Sequence, residues 1–152
     1  MNNILFAPCQ LVIQDAELGH SLIAVFHEIK MQFPPGTEIP SNAVIPRDWA
    51  IFTKWEMSSD EEGKDYVSNT DIFWPDGSMF ATFSLHAKPP VATGMAFIVR
   101  LQGFPMGQAG LIRITNRVIN GEVLVAGPIE RSIRIHREFN LLTHEPREES
   151  NT

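Results

Sequence analysis

The sequence predicts an all-β fold, an antiparallel β-sandwich or flattened barrel of about eight strands. Three observations carry that expectation. Apolar side chains recur at every second position through most of the chain, turn dipeptides separate those runs, and no segment shows a capped helical pattern. The 152 residues suit one domain, expected over 1–142, followed by a polar tail, 143–152, expected to fray. A chain of this length buries roughly 68–70% of its unfolded surface, so a full core is within reach.

Residues 4–13 alternate, with Leu5, Ala7, Cys9, Leu11 and Ile13 on one face. Pro8 falls on the other face and cannot donate a ladder hydrogen bond, which predicts an edge strand or a bulge. Asp15-Ala16-Glu17-Leu18-Gly19 reads as a turn. The run Leu22-Ile23-Ala24-Val25-Phe26, continued by Ile29 and Met31, predicts one long strand over 20–33, covered on both faces in its middle, with a helix as the alternative. Residues 34–47 hold four prolines and one glycine and predict a long crossing.

The next strand places Trp49, Ile51, Trp55 and Met57 on one face, with Lys54 and Glu56 on the other. Trp74-Pro75-Asp76-Gly77 should turn strand 66–74 back into strand 78–87, whose Met79, Ala81, Phe83 and Leu85 face inward. Phe97, Val99 and Leu101 share a face opposite Arg100. Ile112, Ile114 and Val118 oppose Arg113, Thr115 and Arg117, and Asn120-Gly121 joins that strand to the last one. Gly127-Pro128 marks a kink or bulge before Ile129, Ile133 and Ile135 resume the alternation.

Function is less legible. No apolar stretch approaches the roughly 18 residues that span a bilayer, and the opening MNNILFAPCQLV lacks a basic leader, so a cytoplasmic protein is expected. A lone Cys9 excludes a disulfide scaffold, and its apolar strand face predicts an inert thiol with a raised pKa. A net charge of −6 disfavours non-specific binding to nucleic acid or an anionic membrane.

No nucleophile elbow, phosphate loop or paired-histidine spacing is present, so no enzyme and no cofactor is expected. Two weaker chemical readings stay open. His86 and His136 could share a metal if their strands were neighbours, and the acidic loop around Asp60-Glu61-Glu62 could hold calcium; solvated side chains explain both more simply.

Charge is unevenly distributed. Residues 1–99 carry five basic against twelve acidic residues, whereas 100–137 carry six arginines, no lysine and two acids. Arg113 and Arg117 share an outward face, and Arg134 with His136 repeats that spacing on a later strand. Neighbouring strands would gather three guanidiniums able to grip an acidic partner or the acidic region of a second copy. Cross-strand pairing with Glu122 and Glu130 would instead leave an ordinary solvated face. Trp49 and Trp55 belong with the core, while Trp74 at the hairpin mouth is the best candidate for an exposed contact, including a sugar.

The stretch Asp15 to Ile29, with Ser21-Leu22-Ile23-Ala24-Val25-Phe26 at its centre, resembles the opening of an uncharacterised bacterial family of small β-sandwich domains. In outline, the likeness extends over residues 4–136 through a Pro-rich crossing, a Trp-bearing strand and a Pro-Asp-Gly hairpin. It implies a β-sandwich and no established activity, so no residue role is carried over. The expected function is therefore a non-enzymatic binding or interaction domain that self-associates or docks an acidic protein partner through Arg113, Arg117, Arg134, His136 and Trp74, without membrane. The alternatives are a small-ligand or carbohydrate-binding sandwich and a metal-dependent enzyme.

Overall fold

The alternating runs pair into two sheets. A computed structural model describes residues 1–15, 19–89 and 94–140. Nine strands follow in order: β1 (Asn2–Asp15), β2 (Gly19–Val25), β3 (Glu28–Phe33), β4 (Val44–Glu56), β5 (Tyr66–Phe73), β6 (Met79–Ala87), β7 (Met95–Pro105), β8 (Gly110–Asn120) and β9 (Val123–Phe139). A four-stranded sheet has the order β2-β1-β4-β7, and a five-stranded sheet has the order β3-β9-β8-β5-β6. The expected all-β class holds.

Between the sheets lies the apolar layer that the period-two pattern marks. Phe6, Trp49, Ile51, Val99, Leu101 and Phe104 from the first sheet meet Ile72, Ile112, Ile114, Ile133 and Ile135 from the second. Trp55, Met57, Tyr66, Met95, Phe97 and Val118 continue it toward one end. Trp49 buries its ring and still satisfies its indole, which donates to the Gly103 carbonyl at 2.9 Å.

Several expectations, most of them about the first third of the chain, need correcting. Residues 20–33 form neither one strand nor a helix. They are two strands in different sheets, so the count rises to nine, and the chain crosses at Phe26-His27. The unbroken apolar run that suggested a doubly covered strand instead leaves Ile23 and Val25 exposed. Next, β3 runs parallel to β9, so the sandwich is not wholly antiparallel.

Pro8 sits in a strand paired on both sides rather than at an edge, and that strand carries a register shift against β4 between Asn3 and Leu5. The Pro8 carbonyl accepts from the Phe26 amide at 3.2 Å, just past the end of β2. In an antiparallel ladder a residue's N–H and C=O point to the same side, so the missing donor falls where β2 has ended and no ladder bond is lost.

The buried face of β1 also differs from simple alternation. Phe6, Ala7, Pro8 and Cys9 are all buried, whereas Leu5, Leu11 and Ile13 are exposed. The first four lie where β1 is covered on both sides. Farther along, the β1–β2 register steps over Gln10 and Ala24, and Ala24 adopts φ +50°. Beyond that irregularity Val12 and Leu22 turn toward Phe52 on the outer side of β4, in a second small cluster with Cys9, Ala50 and Ile98. His20 stacks its ring 5.0 Å from that of Phe52. The hairpin thus curls over its own sheet, and burial raises the Cys9 thiol pKa as expected.

The remaining turns follow their sequences. In Trp74-Pro75-Asp76-Gly77, the Gly77 amide donates to the Trp74 carbonyl and the Trp74 amide to Ser78, both at 2.9 Å. A register shift between Ile72 and Phe73 rotates Met79 outward, correcting its inward placement. The Pro-rich crossing is strapped down where Met106 and Gly107 amides both donate to Ala43 at 3.0 Å. Gly107 has to be glycine there: a Cβ would sit 2.4 Å from the Ser41 carbonyl oxygen. The expected tail at 143–152 lies outside the described residues, and no described helix is long and apolar enough to cross a membrane.

Candidate functional site

The arginine face comes first, because the strands that carry it are neighbours. In the β8–β9 ladder Arg113 lies opposite Ser132 and Arg134 opposite Leu111. Arg113, Arg117, Arg134 and His136 therefore do share the outer face of the five-stranded sheet. Most of that charge is already engaged. Arg113 reaches Glu130 at 3.9 Å and lies 4.5 Å over the Phe73 ring. Arg117 reaches Asp71 at 3.7 Å, and Asp71 also accepts from the Thr82 hydroxyl at 2.6 Å. His136 Nε2 approaches the Glu28 carboxylate at 2.9 Å, across the parallel β3–β9 pair. Arg134 is exposed, and no ion pair joins it to another described residue.

Two other expected contacts do not assemble. Trp74 is only 8% exposed and packs edge-on against Phe80 at 5.2 Å, so its ring offers no stacking platform. The hairpin turn carries Phe80 over it, a contact that a lone tryptophan beside a turn does not announce. His86 lies on β6 and His136 on β9, with β8 and β5 between them. Their ladder rows also meet β8 at opposite ends, His86 at Ile119 and His136 beyond Gly110, which sets them roughly 30 Å apart along the strands. Among the described residues no group of three His, Cys, Asp or Glu side chains could hold a metal, the acidic loop included.

The structure instead draws attention to the other sheet. Three large apolar side chains stand in solvent on one side of the β1–β2 hairpin, Leu11 at 48% exposure, Ile13 at 46% and Ile23 at 43%, while Val25, the partner of Cys9 across the Ala24 irregularity, stands on the other. Leu11 and Ile23 are direct cross-strand partners, and Ile13 follows Leu11 on the same face. They are what remains outside once Val12 and Leu22 have turned in toward Phe52. β2 is also an edge strand, and Gly19-His20-Ser21-Leu22-Ile23-Ala24-Val25 contains no Lys, Arg, Asp, Glu or Pro. Edge strands are ordinarily blunted by such residues. Of the other sheet's two edge strands, β3 carries Glu28 and Lys30 within six residues, whereas β6 is likewise without such residues.

Beside the hairpin lies a cleft of about 520 Å³. Its origin is strand divergence. β1 pairs with β4 only as far as Cys9–Ala50, while β1 runs on to Asp15 and β4 begins at Val44. Gln10, Leu11 and Val12 line one wall, and Asp48, Ala50, Arg100 and Gln102 the other. Ladder positions Asp48–Gln102 and Ala50–Arg100 set the two charged groups diagonally across the small Ala50. Sequence reasoning missed this cleft; it saw Arg100 as an outward residue but had no signal that β4 and β7 pair or that β1 leaves them.

A polar residue in the core was missed as well. Asn116 interrupts the buried series Ile112, Ile114, Val118 and is 0% exposed. Its amide donates to the Ser68 and Thr70 hydroxyls, each at 2.8 Å. The break in the apolar alternation was the available signal.

No protein-family model matches the chain, and no curated protein matches it.

Proposed function

We propose that the chain is an interaction domain that self-associates by packing the apolar side of one β1–β2 hairpin against that of a second copy. The carrying observation is the exposed trio Leu11, Ile13 and Ile23 on one side of an edge hairpin. A contiguous apolar patch on a small domain marks an interaction surface, because leaving it in water forfeits its transfer free energy. A second copy is the occupant that matches. The patch contains no charge or hydrogen-bonding anchor demanding a different complement, and two-fold packing sets each residue against the same set. Aligned packing of two twisted ribbons is the ordinary way sheet faces meet.

The same reading weakens the arginine face as an acidic-partner site. A partner there would have to displace Glu130, Asp71 and Glu28 from the groups they already hold. Swapping one surface pair for another gains little.

Light scattering coupled to size exclusion tests the proposal. The wild-type chain should elute with twice its 17.1 kDa mass at high concentration. Ile23→Lys, which places a charge in the patch without touching the core, should return it to one mass. A strict monomer at high concentration, or a dimer indifferent to Ile23→Lys, contradicts the proposal.

A further inference from the structure

The cleft between the diverging β1 and β4 has a composition that the hairpin patch lacks. It carries one guanidinium, Arg100, one carboxylate, Asp48, and two carboxamides, Gln10 and Gln102, around an apolar strip of Leu11, Val12 and Ala50. All four polar side chains are exposed, and neither Arg100 nor Asp48 forms an ion pair with another described residue. They do not pair with each other. Their diagonal ladder positions, one step either side of Ala50–Arg100 and Asp48–Gln102, place their backbones about 7–8 Å apart. Two opposite charges are thus held on one floor, and a gap separates them. The small Ala50 side chain leaves that gap open, and the volume falls within the range of small-molecule sites.

From this arrangement we infer that the cleft binds a small zwitterion of the α-amino-acid class with an apolar side chain. The ligand carboxylate meets the Arg100 guanidinium, whose paired N–H donors suit a planar anion. The ligand ammonium meets Asp48. Gln10 and Gln102 donate to and accept from the remaining polar atoms, and the ligand's apolar side chain lies along Leu11 and Val12. Each charge on the ligand thereby finds the opposite charge the protein leaves free, and the apolar body covers the half-exposed Leu11. An ordinary sugar fits less well, since no exposed aromatic face is present among the lining residues. The cleft and the self-association patch share Leu11, whereas Asp48 and Arg100 belong to the cleft alone and Ile13 and Ile23 to the patch alone, so variants at these positions separate the two readings.

Amide-detected NMR titration of the full chain with L-leucine, leucinamide and N-acetyl-leucine tests it. Leucine should give saturable shifts concentrated at 10–12, 48–50 and 100–102. The amide lacks the carboxylate and the acetyl derivative lacks the ammonium, so each should bind at least tenfold more weakly. Arg100→Gln and Asp48→Asn should each weaken leucine at least tenfold while leaving the dispersed strand spectrum intact, because both side chains are exposed. Absence of saturable shifts, shifts confined to other residues, or equal binding of either singly charged analogue would overturn the inference. Retained leucine affinity in both variants would do the same.

Discussion

The outer face of the five-stranded sheet and the outer side of the β1–β2 hairpin are made from the same alternating strands, yet they meet water in opposite ways. On β8 and β9 every outward position between Arg113 and Arg117 is polar, and the charges settle on neighbours: Glu130 for Arg113, Asp71 for Arg117. On β1 and β2 the matching positions are Leu11, Ile13 and Ile23. The difference arises at Gln10 and Ala24, where the ladder is stepped over and the hairpin turns its polar parity away from solvent. A paired polar face is complete in one chain. An apolar face on an unblunted edge is complete only when something covers it.

The most severe way to probe that contrast is to truncate one isoleucine from each region. Ile114 is fully buried, so Ile114→Ala should cost about 2–5 kcal/mol of folding free energy in chemical denaturation. Ile23→Ala in the monomer should cost under about 1 kcal/mol, as for a surface site. Equal losses would mean that Ile23 belongs to a core of its own.

Next in size is Gly127→Ala. Gly127 has φ +86°, and a Cβ there would lie 2.7 Å from the Asn116 carbonyl oxygen, beside the β8–β9 register shift. The substitution should cost more than about 1 kcal/mol by thermal or chemical unfolding. A neutral result would show that the bulge has room to relax.

Arg117→Gln removes a half-exposed ion pair and should change stability by at most about 1 kcal/mol, leaving the oligomeric state untouched. A loss of assembly in that variant would move the interface to the arginine face and reverse the comparison.

The smallest effect concerns acid. Hydrogen bonds from the Ser78 hydroxyl and amide, with a further one from Gln108, hold the exposed Asp76 carboxyl below the ordinary carboxylate range. Its contribution is therefore present above the ordinary aspartate pKa and is lost as pH falls through the lowered folded value. Asp76→Asn should flatten the acid side of the stability–pH curve. An unchanged curve would show that the β5–β6 turn does not depend on that charge.

Much of this architecture was written in local pattern. Trp49, Ile51 and Trp55, the Pro-Asp-Gly turn, Asn120-Gly121 and the Ile112–Ile114 face all fell where alternation and turn chemistry place them. What stayed hidden depends on tertiary pairing. Leu22 to Phe26 is equally apolar whether buried on two sides or left half exposed, and only the Ala24 irregularity decides which residues face out. The cleft is less legible still, since Asp48 and Arg100 lie 52 positions apart in sequence and meet only through the β4–β7 register. Arg113 and Arg134 share a face only because β8 and β9 pair, a condition the sequence left open, and Asp71, which quiets Arg117, comes from a strand the sequence could not assign as its neighbour.

Amide hydrogen exchange across a concentration series tests the central claim most directly. Self-association through the hairpin predicts that protection at 11–13 and 19–25 rises with protein concentration, while 79–87 on the edge strand β6 and 111–117 on the arginine face stay constant. Protection that is flat everywhere, or that rises on β8 and β9 instead, would contradict it.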